Sequence, residues 1–444
     1  QTYFWSNQQS SRLMFYHDHS WGITRLNVYA GEAAGYLITD QTEQDLLTAG
    51  LIPAEQIPLI IQDKTFVSEA TITATDPTWN WGSVPGSAVT GDLWWPHVYM
   101  PAQNPYNPNL SGMNDFGRWH YGPWFFPPTP LCGSGPNAVK PFCIENGPVA
   151  NPLYDPACDP AVTGFCQPPE MPGTPNPSWG AEAFLDTPVI NGTAYPMLTV
   201  QPKSYRLRVL NAAHDRFFNL QFYEADATQV NPACAACASN TEVKMVPAAP
   251  RLDCSATVLT DCVCTATNAP VGCFPPTWPT DGREGGVPDP AAAGPSFIQI
   301  GTEGGFLPQP VVLPNQPVAW NLDPTMFNVG NVLQQADGGG TLILGPAERA
   351  DVIVDFSAYA GKTLILYNDA PTAFPALDPH YDYYTGAPDR TDIGGAPAIP
   401  VGLGPNVRTI MQIQVAAAAP APAFDLAALQ AAFVSTPTST GVFM

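Results

Sequence analysis

Proline occupies 52 of the 444 positions. Each proline fixes φ near −65° and removes a backbone N–H, so neither a helix interior nor a central strand runs through it unbroken. Glycine adds 37 more positions. Together they make about a fifth of the chain, against roughly 12% in average soluble proteins. Regular elements must therefore be short and separated by turns. Hydrophobic residues are nevertheless 45% and aromatic residues 11%. That is enough apolar surface for sizeable cores, and it argues against a disordered chain. The composition predicts a loop-rich, all-β protein, with room for two or three domains of roughly 100–200 residues each.

Sixteen Lys and Arg stand against 38 Asp and Glu, a formal charge of −22. Nucleic acid is excluded as an expected partner, because phosphate binding needs the basic residues that are scarce here. With charged residues at 12%, a coiled coil is excluded too. No apolar run reaches the ~18–20 residues of a membrane span. The carboxylate excess suits attraction of cations such as Mn²⁺ or Fe²⁺, or simple solubility of a secreted acidic protein. Gln1 to Ser11 lacks a signal-peptide pattern. The chain is expected to begin at a mature end, a cloning boundary or a point inside a larger protein.

The ten cysteines fall in two Pro/Gly-rich stretches: Cys132, Cys143, Cys158 and Cys166, then Cys234, Cys237, Cys254, Cys262, Cys264 and Cys273. Even counts in loop-like clusters predict local disulfides and an extracytoplasmic compartment: secreted, periplasmic or cell-surface. Four cysteines allow three pairings and six allow fifteen, so the connectivity stays open. The alternative is metal binding through Cys234-x-x-Cys237 or Cys262-x-Cys264. It lacks the second pair or the nearby histidines that zinc usually takes.

Turn residues divide the rest into short runs. Residues 12–40 read as strand, turn, strand, and a short polar stretch follows from Asp40 to Gly50. Ile57 to Asp63 reads as a buried strand. Residues 75–180 show no period and form a long irregular excursion rich in Trp and Pro. Tyr205, Leu207 and Val209 alternate with Arg206 and Arg208, which predicts a half-exposed strand. Phe217 to Phe222 is expected to pair with it. Further strands are predicted at Phe297–Ile300, Thr341–Leu344, Val352–Phe356, Thr363–Tyr367 and Thr409–Val415. Asp425 opens a short helix with Leu426, Leu429 and Phe433 on one face. No internal repeat of 20–50 residues is present. Short strands with turn punctuation indicate a β-sandwich or barrel.

The sharpest chemical feature is Tyr16-His17-Asp18-His19. On a strand, residues i and i+2 share a face. Two such imidazoles can bind one metal, or one each of two neighbouring metals, and imidazole suits copper, zinc, iron and nickel. A ligating His needs an acceptor for its other ring nitrogen. The alternative is a pair of surface histidines at a strand end.

The surrounding run, Phe15-Tyr16-His17-Asp18-His19-Ser20-Trp21-Gly22-Ile23-Thr24-Arg25-Leu26-Asn27-Val28-Tyr29-Ala30-Gly31, closely resembles the second copper motif of the multicopper oxidases. The similar branch is that of bacterial spore-coat laccases and bilirubin-oxidase-like enzymes. Pro188 to Thr193 and Tyr205 to Ala212 resemble the start of that group's second domain. Ile300 to Pro308 and Pro346 to Phe356 resemble its later strands. The resemblance implies all-β, cupredoxin-like Greek-key β-sandwich domains with long irregular disulfide-bearing insertions. The implied division is: 1–55, the end of a first domain carrying the H-x-H motif; 56–180, a connector and long insertion; 181–415, a second domain with a Cys-rich insertion at about 225–295; and 416–444, a linker toward a third domain.

The resemblance also implies copper as cofactor, with a small-molecule or metal-ion reductant and O₂ as partners. Such an enzyme oxidises a phenolic or aromatic compound or a metal ion and reduces O₂ to water. His17 and His19 would each ligate one of two type 3 coppers. Asp18 would hold ordered water or relay protons, or serve as a structural hydrogen-bonding carboxylate. The family's H-x-H-G, H-P-x-H-x-H and H-C-H-x-x-x-H motifs are absent, as is the type 1 copper ligand set. The chain is therefore expected to be a piece that is inactive alone, with the remaining motifs on missing sequence or another chain. His97, His120, His214 and His380 match no motif and read as loop or strand histidines.

Three features carry rival readings. The aromatic runs Trp94–Tyr99 and Trp119–Phe126 read as a binding platform or as rings packed under their own loop. Asn109-Leu110-Ser111 and Asn191-Gly192-Thr193 fit the glycosylation pattern. For the whole chain, the alternative is a secreted, non-catalytic cupredoxin-like module with a structural or binding role.

Overall fold

A computed structural model describes residues 2–21, 24–70, 185–230, 240–248, 278–320, 341–370, 384–389 and 398–435. It also describes shorter pieces at 83–84, 87–93, 149–150, 155–163, 170–171, 275, 333–334 and 441–442. The runs Trp94–Tyr99 and Trp119–Phe126, with His97, His120, His380 and Asn109, lie outside these residues. So do all the cysteines except Cys158, which is disulfide-bonded.

The described chain opens with β1 (Arg12–His17), α1 (Thr24–Ala30), β2 (Ala33–Ile38) and α2 (Gln41–Thr48). β1 and β2 pair antiparallel, with Arg12 opposite Ile38 and His17 opposite Ala33. The expected turn between them is largely a helix. Leu26 and Tyr29, three residues apart, bury one face of α1, and Gly31 ends it with φ at 121°, where a side chain would be strained. The polar stretch at 40–50 is α2, capped where the Asp40 carboxylate accepts the Glu43 N–H at 2.8 Å.

A seven-stranded sheet follows. Its members are β3 (Gln56–Lys64), β4 (Thr187–Ile190), β5 (Thr193–Ala194), β7 (Ser204–Asn211), β9 (Phe297–Thr302), β10 (Gly305–Leu313) and β12 (Arg349–Asp355). The spatial order is β10-β9-β12-β7-β3-β4-β5. All neighbours are antiparallel except β3 and β7. The second sheet has five strands: β6 (Met197–Val200), β8 (Phe218–Glu224), β11 (Leu342–Leu344), β13 (Thr363–Asn368) and β14 (Thr409–Val415). Its order is β11-β8-β13-β14-β6.

The two sheets close on one apolar core. Leu59, Ile61, Leu207, Val209, Phe297, Val352 and Val354 come from the first sheet. Phe218, Leu220, Phe222, Leu364, Leu366, Met411 and Ile413 come from the second. The all-β sandwich expected from the sequence is thus present. The pairing expected for Phe217–Phe222 is not. β8 crosses to the other sheet and pairs with β11 and β13, while β7 pairs with β12 and β3. Asn191 stands at φ 48° in the β4–β5 turn. Its carboxamide accepts the Ile60 N–H at 3.0 Å and donates to the Pro58 carbonyl at 2.9 Å, so it is spent on the edge of β3.

β7 also corrects the half-exposed reading. Arg206 and Arg208 point away from the core, but both are fully buried. α2 and α3 (Leu426–Phe433) cover that outer face. Leu46 and Ile52 together with Leu429 and Phe433 pack on Ile300 and Ile353. Asp425 caps α3, accepting the Ala428 N–H at 2.9 Å, as its sequence suggested. Beneath this cover the arginines meet two carboxylates. Arg206 grips Asp351 with Nε and Nη2 at 2.8 and 2.6 Å, and Arg208 Nη1 adds a third bond at 2.7 Å. Both guanidiniums also donate to Oε1 of Glu43, whose Oε2 accepts the Ser11 hydroxyl at 2.8 Å. Two positive and two negative charges balance with no water-facing partner.

A second tie fixes α1. Asp63, at the end of β3, accepts the Leu185 N–H at 2.9 Å and the His214 N–H at 3.2 Å. Arg216 Nε lies 3.5 Å from Asp63 Oδ2, the oxygen that takes the Leu185 N–H. The His214 Nε2–H donates to the Arg25 carbonyl at 3.1 Å. The Tyr29 hydroxyl donates to the Thr65 carbonyl at 2.9 Å and accepts the Thr65 N–H at 3.2 Å. The Lys64 ammonium donates to the Tyr29 carbonyl.

Two outcomes follow. Glu43→Ala strands buried guanidinium charge and is expected to cost about 3–5 kcal/mol, read as a lowered denaturant midpoint; a loss below about 1 kcal/mol, the scale of an exposed pair, sinks the network's structural role. Burial pushes the Asp63 carboxyl up, but its His214 hydrogen bond and the Arg216 and His214 charges outweigh this and hold it below the ordinary 3.8. Its stabilising contribution is therefore complete above that ordinary value and is lost as pH falls through the lower folded-state value. The stability gap between wild type and Asp63→Asn should be widest near neutral pH and narrow steadily in acid; a gap that does not change with pH contradicts this.

Candidate metal centre

Strand β1 ends at His17, and the chain then turns through Asp18 and His19 into α1. Alternation along β1 places Leu13, Phe15 and His17 on the side facing the sandwich. Leu13 and Phe15 pack with Leu210, Ala212 and Ile60. Tyr16 faces out and is exposed. Phe15 and His17 stack with ring centres 5.6 Å apart and planes 16° apart. His17 in turn stacks on His19 at 4.3 Å and 26°. The Arg349 guanidinium covers Phe15, 5.3 Å from its ring centre. Arg349, Phe15, His17 and His19 thus form a column of planar groups, and the two expected ligands are brought together at its outer end.

The His17 ring is held in a defined protonation pattern. Its Nδ1 lies 2.8 Å from the Asp18 carbonyl oxygen. A carbonyl only accepts, so Nδ1 carries a proton, and in the neutral imidazole Nε2 then carries the in-plane lone pair. This is the state a ligating histidine needs, with the second nitrogen oriented by a backbone acceptor. The His17 and His19 planes are stacked 26° apart, so the planes that hold their lone pairs do not meet close to the rings. The arrangement suits one ion per imidazole better than a single shared ion.

Asp18 turns away from the rings. Its carboxylate accepts the Ser20 N–H at 3.0 and 3.1 Å, the Ser20 hydroxyl at 2.6 Å and the Asn27 amide at 2.9 Å. The Ser20 bond first, then the Asn27 bond, hold its pKa below the ordinary carboxylate value. These bonds tie the Asp18 carboxylate to the turn between β1 and α1. Asn27 was not singled out by sequence reasoning, although it lies within the quoted motif; only the distance to Asp18 reveals it.

Among the described residues, no group of three or more His, Cys, Asp or Glu side chains converges as a metal site. The two imidazoles fit copper by donor chemistry, as part of a coordination shell and not the whole of one. His214, buried against Tyr29 and Asp63, serves the tie between α1 and the sandwich. An open cavity of about 450 Å³, lined by Asp226, Thr228, Lys244, Met245, Gly386 and Val401 among others, includes none of these residues. No described helix is long and apolar enough to cross a membrane.

No family model matches the chain. Curated proteins do. A laccase of Bacillus subtilis (strain 168) is 23% identical over 372 residues, 83% of this chain and 36% of that protein. A bilirubin oxidase of Albifimbria verrucaria is 34% identical over 94 residues, 21% of this chain and 16% of that protein. A multicopper oxidase of Arabidopsis thaliana is 20% identical over 378 residues, 85% of this chain and 33% of that protein. The chain therefore spans about a third of the length of the first of these relatives, 36%. Among solved structures, the McoA multicopper oxidase of Aquifex aeolicus aligns over 92% of this chain and 42% of its own, with 18% identity and a TM-score of 0.38. By sequence, this chain is a relative of the multicopper oxidases of the laccase and bilirubin-oxidase kind.

Proposed function

We propose that this chain contributes His17 and His19 to a type 3 copper pair in an extracytoplasmic oxidase. The observation that carries the reading is the stacked histidine pair, with the His17 Nε2 lone pair left available and each ring suited to its own ion. The relatives named laccase, bilirubin oxidase and multicopper oxidase support it. Copper, when bound, supplies one-electron redox chemistry between a phenolic, aromatic or metal-ion reductant and O₂, which is reduced to water.

The protein's own part is positional. β1 delivers His17 on its inner face, the Asp18 carbonyl fixes which nitrogen is free, and the turn to α1 presents His19 against the first ring. Asp18 shapes that turn. The other copper motifs of the family come from sequence outside this chain or from another chain.

Copper retention by the full chain after exchange into metal-free buffer is the test. The His17→Ala/His19→Ala double variant should retain far less copper than wild type, with an unchanged denaturant midpoint. The copper-loaded wild type should lack the intense blue absorption of a type 1 centre and should not turn over phenolic substrates. Equal retention by wild type and variant overturns the ligand assignment and favours a non-catalytic module. A blue absorption band overturns the partial-site reading.

A further inference from the structure

We propose that Asn27 is a positioning residue for the His17 imidazole, acting through Asp18. The inference rests on the copper-ligand reading of His17 and adds the group that holds the ligand in its metal-binding state.

The ring of contacts is closed. The Asn27 side-chain amide donates to Asp18 Oδ1 at 2.9 Å. The Asn27 backbone carbonyl accepts the Glu32 N–H at 3.0 Å. The Glu32 carbonyl accepts the Asp18 N–H at 3.1 Å. Asp18 is therefore gripped at its carboxylate by the Asn27 side chain, and at its amide through Glu32 by the Asn27 main chain. What remains of Asp18 is its carbonyl, and that oxygen takes the Nδ1–H of His17 at 2.8 Å. Fixing the peptide plane after Asp18 fixes the acceptor, and the acceptor fixes the tautomer.

The orientation of the Asn27 carboxamide is settled by chemistry. A carboxylate only accepts, so the NH₂ group faces Asp18. The anchor behind it is independent. Tyr29, two residues along α1, is bonded to Thr65 and Lys64, and the Arg25 carbonyl is held by His214. Removing the Asn27 side chain therefore cuts the bond that ties the Asp18 carboxylate to α1, leaving its bonds to Ser20, while α1 stays docked. Outer partners of metal-ligating histidines are typically worth about 10–100-fold in metal affinity, and Asn27 acts one bond further out.

The test uses the full chain with ¹⁵N-labelled histidine. In metal-free wild type, His17 should show a single neutral tautomer, protonated on Nδ1. Asn27→Ala should show a tautomer mixture and about a tenfold loss of Cu²⁺ affinity, read by broadening of the His17 and His19 ring signals. Asn27→Asp keeps the side-chain size but sets a second acceptor against Asp18, and should do at least as much. Thr24→Ala, which removes a hydroxyl bond to the Ser20 carbonyl on the same helix, should match wild type in both measurements.

An Asn27→Ala protein with the wild-type tautomer signal overturns the proposal, as does an Asn27→Ala effect that Thr24→Ala reproduces. The two levels separate cleanly. If Cu²⁺ leaves the wild-type His17 and His19 signals untouched, the copper reading fails, while the tautomer comparison in metal-free protein still decides the role of Asn27.

Discussion

Two buried guanidiniums govern how the first part of this chain meets the rest. Strand alternation sends Leu207 and Val209 into the core and forces Arg206 and Arg208 to the opposite face. Had that face met water, the arginines would be ordinary. It is instead covered by α2 and α3, so the charges are taken out of water, and only fitted carboxylates make that tolerable. Asp351 comes from the adjacent strand β12, and Glu43 comes from α2. The second of these has structural reach. It means that α2 cannot leave the sheet without stranding charge, so α2 and the β1–β2 pair before it are registered on the sandwich by electrostatics as well as by apolar packing.

The histidine pair inherits that registration. Phe15 packs on Leu210 and Ala212, and its ring meets both the Arg349 guanidinium and the His17 imidazole. From the other direction, α1 is held by Tyr29 and by His214, which answers to Asp63 at the end of β3. The turn carrying His17 and His19 is suspended between two anchored elements, β1 and α1. A site of flexible side chains gains its accuracy from such support and not from the ligands themselves.

Much of this was legible in the residues, and the failures have physical causes. Thr409–Val415 and Thr363–Tyr367 stand out because turn residues bound runs of apolar and β-branched side chains, whereas Met197–Val200 and Gly305–Leu313 do not. α1 was read as a turn because one buried pair, Leu26 and Tyr29, is too little periodicity to see over seven residues. Arg206 and Arg208 were read as solvent-facing because alternation reports which face a side chain takes and not what covers that face. Phe217–Phe222 was assigned to its neighbour in sequence, whereas in a sandwich the next strand often changes sheet. At the site, His17 and His19 declare themselves by spacing and motif. Asn27 does not, since its effect depends on a hydrogen bond to a residue nine positions away.

The stacked column has a directional consequence. Arg349 touches the Phe15 ring, Phe15 the His17 ring and His17 the His19 ring, in that order. A displacement of the Arg349 guanidinium is therefore passed along planar contacts toward the two imidazoles. His19, the last ring of the series, is exposed. The imidazoles thus take their placement from one end of the series and meet solvent at the other.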